Sequence, residues 1–212
     1  MPLQLGDEAP NFKAQTTQGD ISLHEYLGDS WGILFSHPKD FTPVCTTELG
    51  TVASLEPEFN KRNTKVLALS VDPLDSHMDW LSDIEDVCAN KVNYPVIADD
   101  DKAIANKYGM IHPNANDSLT VRSVFIINPD KKIALTLTYP APVGRNFEEI
   151  LRVLDALQLG SQYKVATPAN WEKGDDVIIS GALSDEDAKQ LFPDGWDAKK
   201  PYLRFVKDPS SK

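Results

Sequence analysis

The sequence predicts an α/β fold, with one mixed central sheet covered by helices on both faces over residues 1–160 and a small C-terminal domain over residues 161–212. Two observations carry that prediction. Up to Gly160, short β-branched or apolar runs alternate with segments of helical period, the pattern that feeds strands into a sheet and lays helices over it. The alternation closes on two successive strands and a helix, which makes the sheet mixed rather than wholly parallel. Of the 212 residues, 41% are apolar and 25% charged, so the chain is an ordinary globular one, long enough for a substantial domain plus a small one.

Residues 12–16 and 21–23 flank Gln18-Gly19-Asp20 as an opening hairpin, with a short helical turn at residues 24–27. Residues 31–36 read as a buried strand. A Pro-bearing loop leads into a helix over residues 43–59, which Pro57 is placed to bend or end early. Residues 65–71 form a second apolar strand, and residues 76–87 set Met78, Leu81 and Ile84 at helical spacing. A strand at 94–98 and a helix at 102–108, stopped by Gly109, come next. Strands at 123–127 and 133–139 are joined by Asn128-Pro129-Asp130-Lys131, and the helix at 147–159 repeats Ile150, Leu151, Leu154 and Leu157 up to Gly160. That order is the order of a thioredoxin-like sheet. The tail, richer in Pro, Asp and Trp, offers a strand at 177–179, a short helix opening on Asp185-Glu186-Asp187 and a final run at 202–205. On this reading it is too small to hold a rich core alone.

The net charge of −11 and a pI near 4.7 argue against nucleic acid and against an anionic membrane surface, since basic residues cluster only as pairs such as Lys131-Lys132 and Lys199-Lys200. No apolar run reaches the roughly 18 residues of a spanning helix. The opening residues lack the basic and apolar regions of a secretory signal, so a cytoplasmic location is expected. Cys45 and Cys88 are too few for a disulfide framework, and with no C-x-x-C pair and no clustered His the expectation is no metal and no cofactor.

The strongest chemical signal lies at the end of the strand at 31–36. In Thr42-Pro43-Val44-Cys45, Thr42 reads as the N-cap and Pro43 as the first helical residue, which makes Cys45 the third. Free backbone N–H groups and the positive end of the helix dipole surround that position and favour a thiolate. Cys88, near the end of another helix, has no cap or base beside it and reads as structural.

Pro38, Thr42 and Cys45 reproduce the P-x-x-x-T-x-x-C signature of peroxiredoxins, and residues 37–49 are similar to the one-cysteine, peroxiredoxin-6-like branch. Further blocks fall in order over nearly the whole chain: residues 6–12, Tyr139-Pro140, residues 144–152 and residues 165–171. The resemblance implies a thiol-dependent peroxidase that reduces hydrogen peroxide and organic hydroperoxides, with Cys45 attacking the terminal oxygen and becoming a sulfenic acid. An O–O displacement needs an ionised nucleophile, donors that hold the peroxide in line and stabilisation of charge on the leaving oxygen. Thr42 is expected to donate its hydroxyl, Arg122 to hold the thiolate and peroxide oxygens, and Pro38 to shield the sulfur. His37, Glu48 and Arg145 stand as secondary site residues, His37 to orient the loop or bond ordered water.

Thr167 occupies the place where two-cysteine relatives carry a resolving cysteine, so the resemblance implies an external thiol of the glutathione, glutaredoxin or thioredoxin type. It also implies a homodimer paired along the strand at 133–139, whose alternating residues suit a sheet edge. Gly28-Asp29-Ser30-Trp31-Gly32 spells G-x-S-x-G, although Ser30 precedes a strand instead of following one. Members of the branch are credited with phospholipase A2-type activity through a set that matches Ser30, His24 and Asp130, which makes an esterase side activity one alternative and a holdase role another.

Overall fold

The run Trp-Gly-Ile-Leu-Phe-Ser carries no charge, and in the computed structural model, which describes residues 3–211, it is buried along its whole length in the middle of the main sheet. The strands and helices run, in chain order, β1 (Lys13–Thr16), β2 (Gly19–Ser22), α1 (Leu23–Leu27), β3 (Trp31–Ser36), α2 (Pro43–Ser54), α3 (Glu56–Lys61), β4 (Thr64–Ser70), α4 (Leu74–Cys88), β5 (Val96–Ala98), α5 (Ala103–Lys107), β6 (Arg122–Ile127), β7 (Ile133–Tyr139), α6 (Phe147–Gln162), β8 (Val165–Ala166), β9 (Val177–Ile179), α7 (Asp185–Leu191), β10 (Asp197–Lys200) and β11 (Leu203–Val206). The main sheet has the order β2-β1-β5-β4-β3-β6-β7, with β3, β4 and β5 parallel and the remaining pairs antiparallel. This is the mixed, thioredoxin-like α/β sheet that the pattern predicted.

Both faces are covered. Leu34, Leu67, Leu69, Ile97, Phe125 and Ile127 join Leu23 and Leu27 of α1 and Ile104 of α5 in one cluster. The residues of opposite parity, Ile33, Phe35, Val66, Ala68 and Val124, are equally buried and face the other way. Among the described residues no helix is long and apolar enough to cross a membrane.

The structure departs from the sequence reading in four places. The helix expected over 43–59 breaks at Leu55, and Pro57 sits in the first turn of α3, where its missing N–H costs nothing. In α4 the inward residues are His77, Trp80 and Ile84, while Met78 is 50% exposed. A periodicity read on apolar residues alone cannot register a histidine that earns burial by hydrogen bonding. α6 runs through Gly160 to Gln162, because an interior helical glycine costs only about 1 kcal/mol and does not by itself end a helix. Finally, the chain divides into one compact unit through Phe147 and another from Glu148, whereas the expected boundary was near Gly160. Leu159 of α6 belongs to the second unit's own core with Val165, Trp171, Val177, Ile179, Ala188 and Phe192. A four-stranded antiparallel sheet of order β10-β11-β9-β8 accompanies that core, so the C-terminal segment is better provided than its length alone suggested.

Two glycines give opposite expectations for alanine. A Cβ on Gly50 would stand 2.3 Å from Cys88 Sγ and 2.4 Å from Cys88 Cβ, so G50A is expected to destabilise the protein by about 1–3 kcal/mol. A Cβ on Gly160 meets nothing closer than the Val165 oxygen at 3.6 Å, so G160A is expected to stabilise by about 0.5–1 kcal/mol. Denaturant midpoints at unchanged slope check both.

Candidate active site

The parallel strands β3, β4 and β5 end on the same side, and ligands of open α/β sheets bind beyond such ends. β3 gives way there to residues 37–42, a loop that carries Phe41 at φ +53, and the chain re-enters regular structure at Pro43. Thr42 has the extended N-cap backbone, φ −119 and ψ 147, and Pro43 supplies the fixed first turn. Cys45 is accordingly the third residue of α2, 1% exposed. The side chain of Thr42 departs from expectation. Its hydroxyl does not cap the helix but donates to the Lys39 carbonyl at 2.8 Å, so toward any ligand it presents lone pairs rather than its proton.

Because β6 runs antiparallel to β3, the start of β6 lies beside the end of β3, and Arg122 reaches the sulfur from there. Its Nη1 donates to Cys45 Sγ at 3.3 Å and to Glu48 Oε2 at 2.8 Å, while Nε and Nη2 donate to the Ala141 carbonyl at 2.9 and 2.6 Å. Glu48 stands three residues after Cys45, on the same face of α2. Arg145 holds it from the far side, with its backbone N and Nε donating to Oε1 at 2.8 and 2.9 Å and Nη2 donating to Oε2 at 2.6 Å. The remaining nitrogen, Nη1, donates to the carbonyls of Ser36 and Ser123 at 2.8 and 2.9 Å, and the guanidinium lies over the rings of Phe35 and Phe147. Burial alone would push the Glu48 carboxyl up, but the bonds and charges of Arg145, with Arg122 behind them, hold it below the usual carboxylate range. Two buried guanidinium groups against one carboxylate leave a positive charge facing the sulfur.

Pro38 and His37 are both buried in the loop, as a shield over the site requires. His37 bonds a carboxylate that the sequence reading passed over: its Nε2 meets Asp40 Oδ1 at 2.8 Å, and Asp40 Oδ2 meets His77 Nδ1 at 2.6 Å. Burial raises the Asp40 carboxyl, yet its bonds to the two histidines outweigh that and hold it well below the carboxylate range. Burial pushes His37 down. Trp80, also unforeseen, lies 5.2 Å from the His37 ring, and its Nε1 donates to Thr46 Oγ1 at 3.3 Å. Asp40 was legible, since it stands three residues after His37 in the same block; His77 and Trp80 were hidden by the mistaken face of α4.

Cys88 is half-buried behind α2, its Sγ 3.6 Å from the Thr46 carbonyl, and both cysteines are free. The Ser30, His24 and Asp130 set is not joined by hydrogen bonds. Ser30 Oγ donates to Asn63 Oδ1 at 2.9 Å, His24 Nε2 meets the Ala9 carbonyl at 2.7 Å, and Asp130 is exposed on the turn between β6 and β7.

Comparison with known proteins is consistent along the chain. Residues 5–136 match the AhpC/TSA family model and residues 156–195 match the model for the C-terminal domain of 1-Cys peroxiredoxin. The chain is 56% identical over 208 residues to a 1-Cys peroxiredoxin of Dictyostelium discoideum, covering 98% of this chain and 86% of that one. It is 54% identical over 220 residues to peroxiredoxin-6 of Gallus gallus, covering 98% of each. A crystal structure of a cysteine-to-serine mutant of peroxiredoxin 6 from Arenicola marina superposes with a TM-score of 0.91 at 48% identity, covering 98% of this chain and 99% of that one. A yeast mitochondrial 1-Cys peroxiredoxin superposes at 0.92 and 50%, covering 97% and 99%.

Removing the carboxylate that the two arginines share is expected to be costly. E48A leaves buried guanidinium groups without their counter-ion and is expected to lose about 3–5 kcal/mol, with E48Q losing less. Because the folded Glu48 value lies below its unfolded one, its stabilisation is complete above the unfolded value of 4.5 and is lost as pH falls through the folded value. Acid titrations of unfolding are therefore expected to show a shallower loss in E48Q than in the parent over that interval.

Proposed function

The chain belongs to the AhpC/TSA family, in its 1-Cys peroxiredoxin branch, and is a thiol peroxidase; on that premise we propose that Cys45 is the residue that meets the peroxide. The observation that carries this reading is Arg122 Nη1 at 3.3 Å from the buried sulfur, itself fixed by Glu48. The Cys45 thiolate attacks the terminal oxygen of hydrogen peroxide or of an organic hydroperoxide. The S–O bond forms as the O–O bond breaks, the departing oxygen takes a proton to leave as water or alcohol, and Cys45 is oxidised to sulfenic acid. Arg122 is suited to both ends of that step, since it stabilises the thiolate beforehand and the charge on the departing oxygen as it develops. Thr42 offers lone pairs to the peroxide O–H, Pro38 keeps bulk water from the sulfur, and Glu48 with Arg145 positions Arg122.

An external thiol closes the cycle in this reading. A first thiolate displaces hydroxide from the sulfenic sulfur, forming a mixed disulfide and water, and a second thiol releases Cys45. Thr167 and the single other cysteine, Cys88, support the assignment of a one-cysteine cycle. The yeast mitochondrial relative is described as resolved through glutathione and thioredoxin systems, and a glutathione, glutaredoxin or thioredoxin-type reductant is proposed here by analogy. Two free thiols suit a reducing compartment, and the cytoplasm is the proposed one. β7 lies at the edge of the main sheet, which supports a homodimer formed by strand pairing there.

One equivalent of hydrogen peroxide is expected to add a single oxygen to the intact protein, trappable by a dimedone-type reagent and absent in C45S. Quantitative formation of a Cys45–Cys88 disulfide instead would refute the one-cysteine cycle. R122A is expected to slow the peroxide step by about 10²–10³-fold, read as a second-order rate constant. Sedimentation at micromolar concentration is expected to show a dimer, and a monomer alone would rule out the paired edge.

A further inference from the structure

The second unit carries a cleft that the peroxide chemistry leaves unused. Gln162, Leu191 and Val206 line it, and they are the last residues of α6, α7 and β11, so none of the three is followed by a further turn or strand residue that would pack over it. The cleft measures about 620 Å³, within the roughly 300–1,000 Å³ of small-molecule sites. Its floor is apolar. Phe192, 8% exposed, belongs to the unit's own core, and Tyr163 and Val206 pack against that core. Leu191, the neighbour of Phe192, lines the same cleft yet is 53% exposed, so an occupant that covered it would take apolar surface out of water.

The polar lining decides which kind of occupant fits. Lys207 and Asp194 are both engaged, Lys207 with Asp176 at 2.9 Å and Asp194 in an interaction of its own. Gln162, Tyr163 and Lys164 differ. Among the described residues, the side chains of these three consecutive residues bond no protein group, which leaves an amide, a hydroxyl and an ammonium able to donate. Only Lys164 adds charge, and that charge is positive. In a chain of net charge −11 the long-range field repels anions, so an unpaired cation beside an apolar floor acts by contact and not by steering. Its complement is an apolar chain with one anionic end. A dianionic phosphate would bring a second negative charge beside Asp194 with no further unpaired cation to meet it, whereas a carboxylate brings one.

We propose that this cleft binds a free long-chain monocarboxylate of the fatty-acid class, its alkyl chain on Phe192, Val206 and Leu191 and its carboxylate against Lys164. Such a group is ionised at neutral pH, and its bond to Lys164 is charge-assisted. The Tyr163 hydroxyl and the Gln162 amide supply further donors at the same end. The site draws on no residue of the Cys45 cluster, so it stands or falls apart from the peroxidase reading.

The test is isothermal titration calorimetry of the full chain at neutral pH with octanoate, decanoate and dodecanoate, each kept below its critical micelle concentration. One site per chain is expected, tightening by up to about fourfold for each methylene added, the effect of moving that group from water onto an apolar surface. Lys164→Gln is expected to weaken dodecanoate about tenfold, the loss of one charge-assisted hydrogen bond. Leu191→Asp sets a negative charge at an exposed position on the path of the alkyl chain and is expected to abolish binding. Dodecyltrimethylammonium, with the same chain length and the opposite charge, is expected not to bind. Affinity for that cation equal to the affinity for dodecanoate would overturn the proposal. So would an affinity independent of chain length, uptake of many molecules per chain, binding unchanged in both variants, or no binding of dodecanoate at all. Dissociation of a dimer by dodecanoate, followed by sedimentation, would assign the cleft to a second copy of the chain and overturn it as well. If Leu191→Asp does not fold, Lys164→Gln and the chain-length series decide alone.

Discussion

Everything at the end of β3 depends on one carboxylate. Glu48 accepts four hydrogen bonds from two arginines; Arg122 also donates to the Cys45 sulfur and the Ala141 carbonyl, and Arg145 to the carbonyls of Ser36 and Ser123. Arg122 is thereby fixed to Ala141, in the loop after β7, and Arg145 to Ser36 and Ser123 on neighbouring strands. A buried carboxylate with a single cation would gain little over an apolar packing of the same shape, because desolvation offsets the attraction. Here the second cation makes the difference. It leaves the cluster with an excess of positive charge, and Arg122 Nη1 sets that charge 3.3 Å from the sulfur of Cys45. The attack proposed for Cys45 draws on that excess charge.

That placement imposes conformational costs which the same contacts sustain. Phe41 is held at φ +53, a conformation costing a non-glycine residue of order 1–3 kcal/mol, and it turns the chain so that Thr42 can be extended and Pro43 can begin the helix. The loop is over-determined on the other side by Asp40, which bonds two histidines and a serine, and by Thr120, whose hydroxyl donates to the His37 carbonyl at 2.7 Å. Strain here is the counterpart of a rigid thiol.

How much of this was legible in the sequence follows from what each signal measures. β3, β7 and β9 were read with their observed bounds because uninterrupted or alternating apolar runs are direct records of burial. The start of α2 was legible because Thr-Pro is local grammar. The inward face of α4 was not, since His77 is buried by virtue of Asp40, thirty-odd residues away, and no local pattern records such a partner. For the same reason the hydroxyl of Thr42 was misread: the position is set by the chain's neighbours, but its proton is set by the Lys39 carbonyl, which only the folded turn brings near. β8 and β10 are short strands of a small sheet, and β10 is exposed along its whole length, so neither leaves a hydrophobic trace to read.

Helical phase bears on why a second cysteine so near the site need not act as a partner. Cys45 and Glu48 share one face of α2, directed at Arg122, whereas Thr46 and Gly50 share another, rotated by about 100°. Cys88 packs on that second face, its sulfur against the Thr46 carbonyl and its side chain in the space that Gly50 leaves open. A disulfide needs sulfurs about 2.05 Å apart. To bring Cys45 round to Cys88, the first turns of α2 would have to unwind, which would pull Glu48 from both arginines and leave their charges buried and unpaired. The two thiols, one in α2 and the other at the end of α4, are kept apart by the helical phase of α2, and the cost of joining them is the loss of the cluster that holds Arg122 against Cys45.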